Sequence, residues 1–119
     1  MLTAAIAVIV GCNKNGTDPD KEDYVVSSSA NTLTLTLDNP VEACWITDGN
    51  NVTIEGILSK DGESIDCTGE WFSAKVNLDT PKAIIFTVDE NTSGEDRTLK
   101  IVAYHMGKSG SMTIKQQSN

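Results

Sequence analysis

At 119 residues the chain has room for one domain and not for two. Its hydrophobic content of 39% with 22% charged residues belongs to a chain that folds rather than stays disordered. The formal net charge of −8 repels phosphate backbones and anionic membrane surfaces, which sets nucleic acid aside as a partner.

Residues 2–10 read LTAAIAVIV, a nine-residue apolar run. A membrane-spanning helix needs about 20 such residues, whereas this length suits the hydrophobic region of a signal peptide. The run ends in Ile9-Val10-Gly11-Cys12, which resembles the bacterial lipobox: apolar residues, a small residue, then the cysteine that is lipidated before cleavage. Residues 1–11 are therefore expected to be a lipoprotein signal peptide and Cys12 the lipidated mature N-terminus. The protein would then be lipid-anchored at a bacterial outer membrane, on its periplasmic or its surface face. No Lys or Arg precedes the run, so the natural start is expected upstream.

Residues 12–23, continuing as NKNGTDPDKED after Cys12, are polar and rich in turn formers and read as an acidic tether. A calcium loop opening at Asp18 would need Gly at its sixth position and Glu at its twelfth. Those positions hold Asp23 and Ser29.

From Thr32 onward apolar and polar residues alternate with the period of two that marks half-buried strands. Eight are expected, at 32–37, 41–46, 52–58, 63–68, 71–78, 83–88, 98–104 and 111–115. Turn signals separate them at Asp38-Asn39-Pro40, Asp48-Gly49-Asn50, Asp61-Gly62, Thr68-Gly69, Thr80-Pro81, Ser93-Gly94 and 107–110. Turns roughly every ten residues imply an all-β sandwich of seven to eight short antiparallel strands.

Alternation also assigns faces. In 41–46 the apolar set is Val41, Ala43 and Trp45, which puts Trp45 in the core and turns Cys44 outward. Cys67 shares the inward face with Ile65. Phe72, Ala74, Val76 and Leu78 point inward, so Trp71 points out at the start of its strand. Tyr104 shares a face with Thr98, Lys100 and Val102. Cys44 and Cys67 remain as an even pair once Cys12 is lipidated and are candidates for a disulfide; closing their loop of about 24 residues would stabilise by roughly 3 kcal/mol. The outward phase of Cys44 speaks instead for two separate thiols.

The order of Trp71-Phe72-Ser73, 84–88 (IIFTV), 91–97 (NTSGEDR), Leu99-Lys100-Ile101 and 112–116 (MTIKQ) is similar to that of the BACON domain, the Bacteroidetes-associated module named as carbohydrate-binding and often N-terminal. The resemblance covers 24–117 and is weaker around Cys44-Trp45 and the turn at 48–51. It implies an immunoglobulin-like sandwich in a cell-envelope protein, with glycan recognition or a spacer role as its function. Arg97, entering a strand after 91–96, has five donors for turn carbonyls or for the Glu95 and Asp96 carboxylates, and a structural clamp is the expected role.

Little in the chain suggests catalysis. His105 is the only histidine, so a site of several histidines is excluded. No cofactor or metal is expected, and an acid/base carboxylate pair would need a depth that so small a domain seldom has. Sugar rings stack on exposed aromatic faces, which makes Trp71 and Tyr104 the ligand-stacking candidates. The reading from sequence is thus a non-catalytic envelope module recognising glycan. The alternative is a structural or protein-interaction module that assembles by pairing a β-edge.

Overall fold

A computed structural model describes residues 22–119. The signal-peptide, lipidation and most of the tether readings fall outside them. Ten strands follow one another: β1 (Asp23–Val26), β2 (Asn31–Thr36), β3 (Ala43–Asp48), β4 (Thr53–Glu55), β5 (Ile57–Leu58), β6 (Ser64–Thr68), β7 (Phe72–Asn77), β8 (Ala83–Val88), β9 (Arg97–His105) and β10 (Lys108–Gln116). They form two five-stranded sheets, in the orders β1-β10-β9-β3-β4 and β2-β8-β7-β6-β5. Neighbours run antiparallel except β1, which lies parallel to β10 with Asp23 opposite Thr113 and Val26 opposite Gln116.

The core is the meeting of two alternating faces. One sheet contributes Leu35, Val76, Ile84, Phe86 and Val88, the other Ile46, Leu99, Ile101, Met112 and Ile114, all essentially without solvent contact. Each such side chain contributes about 1.5–3 kcal/mol on leaving water, and together they outweigh any single polar contact. The threonines between the leucines of β2 face solvent, as alternation requires.

Four expectations are corrected. The stretch 52–58 is two strands in different sheets, broken at Gly56, whose backbone N–H donates to Cys44 O at 2.8 Å. A Cβ there would come within 2.8 Å of Ile65 Cγ2 and 2.9 Å of Cys44 O, so only glycine lets the chain pass from one sheet to the other at this point. Secondly, the phase of 41–46 is reversed. Val41 is buried but precedes β3, its N–H bonded to Pro81 O of the β7–β8 connection. The ladder starts afresh at Ala43, so Cys44 and Ile46 point inward while Ala43 and Trp45 lie half-buried on the outer face. Thirdly, Leu78 is exposed, because β7 ends at Asn77 and the chain is already turning. Lastly, residue 23, read as the end of the tether, opens β1.

The turn at 48–51 shows why its residues are there. Asp48 Oδ1 accepts the N–H groups of Asn50 and Val52 at 2.8 and 3.0 Å, and Asn51 takes the left-handed conformation at φ 63°.

Gly69 lies against the ring of buried Phe72, which a Cβ would strike. Gly69→Ala is expected to cost about 1–3 kcal/mol in urea denaturation. Gly49→Ala, where a Cβ meets nothing within 4 Å, should leave the midpoint near its original value.

Candidate functional site

One end of the sandwich is closed by a polar cluster built from residues that the sequence placed in a recurring order. Arg97, the first residue of β9, donates from Nε to Gln116 Oε1 at 2.9 Å and from a terminal nitrogen to Asp89 O and Glu90 O at 3.2 Å each. Its guanidinium carbon stands 3.9 Å from the centroid of the Trp71 ring, a cation–π contact. Trp71 in turn meets Phe72 edge-on, with centroids 5.2 Å apart and planes at 82°. Gln116 is buried and donates from Nε2 to Ser28 O, Ser29 O and Asp89 O. Partial burial pulls the Arg97 pKa down, and the nearby Asp89 carboxylate opposes that shift.

Beside this cluster lies Asn91, a fully buried side chain that the sequence reading passed over. Its Nδ2 donates to Glu95 O at 2.8 Å and Gln117 O at 3.1 Å, and its Oδ1 accepts from Ser93 N and Ser93 Oγ. The signal available in the sequence was an Asn followed two residues later by Ser, the pattern of a side chain folding over its own turn. Asp96, next in the loop, accepts the Ser118 N–H and stands 3.4 Å from Lys115 Nζ. The Ser118 N–H is the main reason its carboxyl is held below the ordinary 3.8.

Arg97 therefore clamps carbonyls of the β8–β9 connection, as the clamp reading expected, and one face of Trp71 is occupied by Arg97. Trp71 is half-buried and packed against the core, an arrangement that spends much of its surface on the fold.

The second stacking candidate, Tyr104, stands elsewhere, on the outer face of the β1-β10-β9-β3-β4 sheet. Register sets Ala43 opposite Tyr104 and Trp45 opposite Val102, so Trp45 and Tyr104 are diagonal neighbours on adjacent strands. Such diagonal positions lie about 7–8 Å apart, within reach of a shared ligand for side chains this large. Both are half-buried, and Ala43 and Val102 hold the other two positions of the same cross-strand square. Glu55 lies opposite Trp45 on β4, Ser111 opposite Val102 and Ser109 opposite Tyr104 on β10. Trp45 was missed because the phase slip before β3 hid its face.

Cys44 and Cys67 are free buried thiols, and burial pushes the Cys44 pKa up to about 12 and that of Cys67 upward as well. His105 Nδ1 lies 3.2 Å from Glu42 Oε2 without the alignment of a hydrogen bond. Among the described residues no group of three or more His, Cys, Asp or Glu is placed to hold a metal ion. A shallow depression of about 350 Å³ is lined by Thr36, Thr80, Pro81, Lys82 and Ala83, with no carboxylate, thiol or imidazole.

Residues 61–117 match the model of the BACON family, described as a putative binding domain, N-terminal. The matched stretch is the half of the chain that holds Trp71, Asn91, Arg97 and Gln116. No curated protein matches the chain. Among solved structures, a protein from Bacteroides thetaiotaomicron is similar at TM-score 0.59 and 10% identity, over 96% of this chain and 97% of that one. A chimeric titin Z1Z2 is similar at TM-score 0.52 and 11% identity, over 88% and 95%. The titin M3 domain is similar at 0.52 and 7%, over 87% and 97%. At such identities the likeness shows the fold, and the fold is the immunoglobulin-like sandwich expected from the sequence.

Asn91→Ala removes the side-chain donor to Gln117 O and one of two donors to Glu95 O, and is expected to cost about 2–3 kcal/mol in chemical denaturation. For Asp96, whose folded pKa is depressed, the stabilising contribution is complete above the ordinary carboxylate value and is lost as pH falls through the lower folded one. Denaturation midpoints followed from neutral pH into acid should therefore fall less steeply in Asp96→Asn than in the parent chain.

Proposed function

We propose that this chain, BACON-like over residues 61–117 and an immunoglobulin-like sandwich throughout its described residues, is a non-catalytic, lipid-anchored envelope module that binds glycan. The observation that carries the reading is the pair Trp45 and Tyr104 on the outer face of one sheet. Aromatic rings present flat apolar surface to the faces of sugar rings, and polar groups at the rim take up the hydroxyls. Glu55, Ser109 and Ser111 supply that rim at neighbouring register positions. The net charge of −8 favours neutral over anionic saccharides. Anchoring rests on the run ending at Cys12, where acyl chains would hold the module to the outer membrane.

A second reading has its own observation. Ile57 and Leu58 are 71% and 59% exposed on β5, the edge strand of the other sheet, a combination suited to assembly by strand addition.

Glycan-array binding with the soluble chain from Asn13 separates the two. Binding is expected in the millimolar range or tighter, and Trp45→Ala and Tyr104→Ala should each weaken it at least about tenfold. Trp71→Ala should lower stability and leave affinity largely intact. Absence of binding at millimolar sugar, or affinity unchanged in both outer-face variants, would sink the glycan reading; concentration-dependent association abolished by Ile57→Lys would favour assembly. Lipid attachment is checked by metabolic labelling with an alkyne fatty acid, which Cys12→Ala should abolish.

A further inference from the structure

Cys44 and Cys67 come from opposite sheets and both point into the core between them. Cys44 is on β3 and 1% exposed, Cys67 on β6 and 0% exposed. At this side of the sandwich the chain crosses between sheets at Gly56, and β3 and β6 approach with Cα atoms within 8 Å. A Cβ built on Gly56 would stand 3.1 Å from Cys44 Sγ and 2.8 Å from Ile65 Cγ2, which places the Cys44 sulfur beside β6 at a residue two positions from Cys67. The Cys67 thiol donates to Ile54 O at 3.2 Å, and Ile54 pairs with Ile46, two positions along β3 from Cys44. The Cys67 sulfur thus lies against the β3–β4 ladder two positions along β3 from Cys44.

We infer that Cys44 and Cys67 are joined in the oxidised protein by a disulfide that ties the two sheets together at the Gly56 crossover. Two S–H bonds break and one S–S bond forms; the two electrons and two protons pass to a disulfide oxidant, small-molecule or protein, which leaves as two thiols. The mutual repulsion of the two thiolates adds to burial in raising the Cys44 pKa, as expected for neighbouring sulfurs. That same rise makes the attacking thiolate scarce in the folded molecule, so the bond forms while the chain is folding and is shielded once the core closes.

The test uses the full chain, refolded from denaturant in a buffer of reduced and oxidised glutathione, blocked with an alkylating agent and digested with trypsin. The three cysteines fall in separate peptides, Cys12 in 1–14, Cys44 in 22–60 and Cys67 in 61–75, so the partner of each is read directly by mass. The expected result is a predominant 22–60 to 61–75 species and an unfolding constant lowered on the order of 100-fold relative to the same protein under reductant. The double variant Cys44→Ala, Cys67→Ala should give the same midpoint with and without oxidant. Free thiols at both positions after refolding would overturn the inference, as would linkage to the Cys12 peptide.

Discussion

Gln116 sits where three parts of the chain must meet: the β1–β2 connection, the β8–β9 connection and the end of the last strand. A buried amide costs free energy unless its donors and acceptor are used, and here Nε2 reaches Ser28, Ser29 and Asp89 carbonyls while Oε1 takes the Arg97 N–H. Hydrogen bonds with a charged partner contribute about 1.5–3 kcal/mol, and this one also orients the guanidinium over Trp71. The hydrophobic faces make the sheets attract each other; the amide and guanidinium fix how the loops between them are laid. Asn91 extends the arrangement to Gln117, so side chains reinforce the backbone bonds from Asn91 N to Ser28 O and from Gln117 N to Val26 O that join both loops and the C-terminal segment.

That division has a bearing on where recognition can occur. An end knitted this tightly has few polar groups left to offer, since Asn91 spends its amide on Ser93 and two backbone carbonyls and Gln116 spends its own on Arg97 and three carbonyls. The outer sheet face is different: alternation puts a side chain there at every second position at no cost to the core. Trp45 and Tyr104 stand on that face, while Ile46 and Ile101 point the other way into the core.

Most of the fold was legible because burial imposes period two on each strand. Residues 83–88 appear as a strand with the expected bounds, and β2 keeps its leucines inward and its threonines out. What was not legible depends on contacts between distant residues. The reversal before β3 arises because Val41 bonds across to Pro81, and nothing in the local pattern at 41–46 reveals that. The break at Gly56 reflects a backbone approach to Ile65 and Cys44, which a one-dimensional alternation reads as a continuous strand. β1 is four residues long and pairs with the far end of the chain, too short for a period to declare itself. Of the site residues, the clamp role of Arg97 followed from its donors, whereas the half-buried setting of Trp71 and the outward turn of Trp45 both needed the tertiary neighbours.

The parallel pairing of β1 with β10 also decides how the molecule carries load. β1 leads out toward the N-terminus and β10 toward the C-terminus, side by side and in the same direction. Pulling the two ends apart slides these strands along each other, so tension falls on the whole row of hydrogen bonds at once rather than opening them in turn. An antiparallel edge pair held at the same two ends would instead peel. A four-residue strand that contributes little to the core thus gives the domain a shear-resistant seam at the point where force would enter from the N-terminal side.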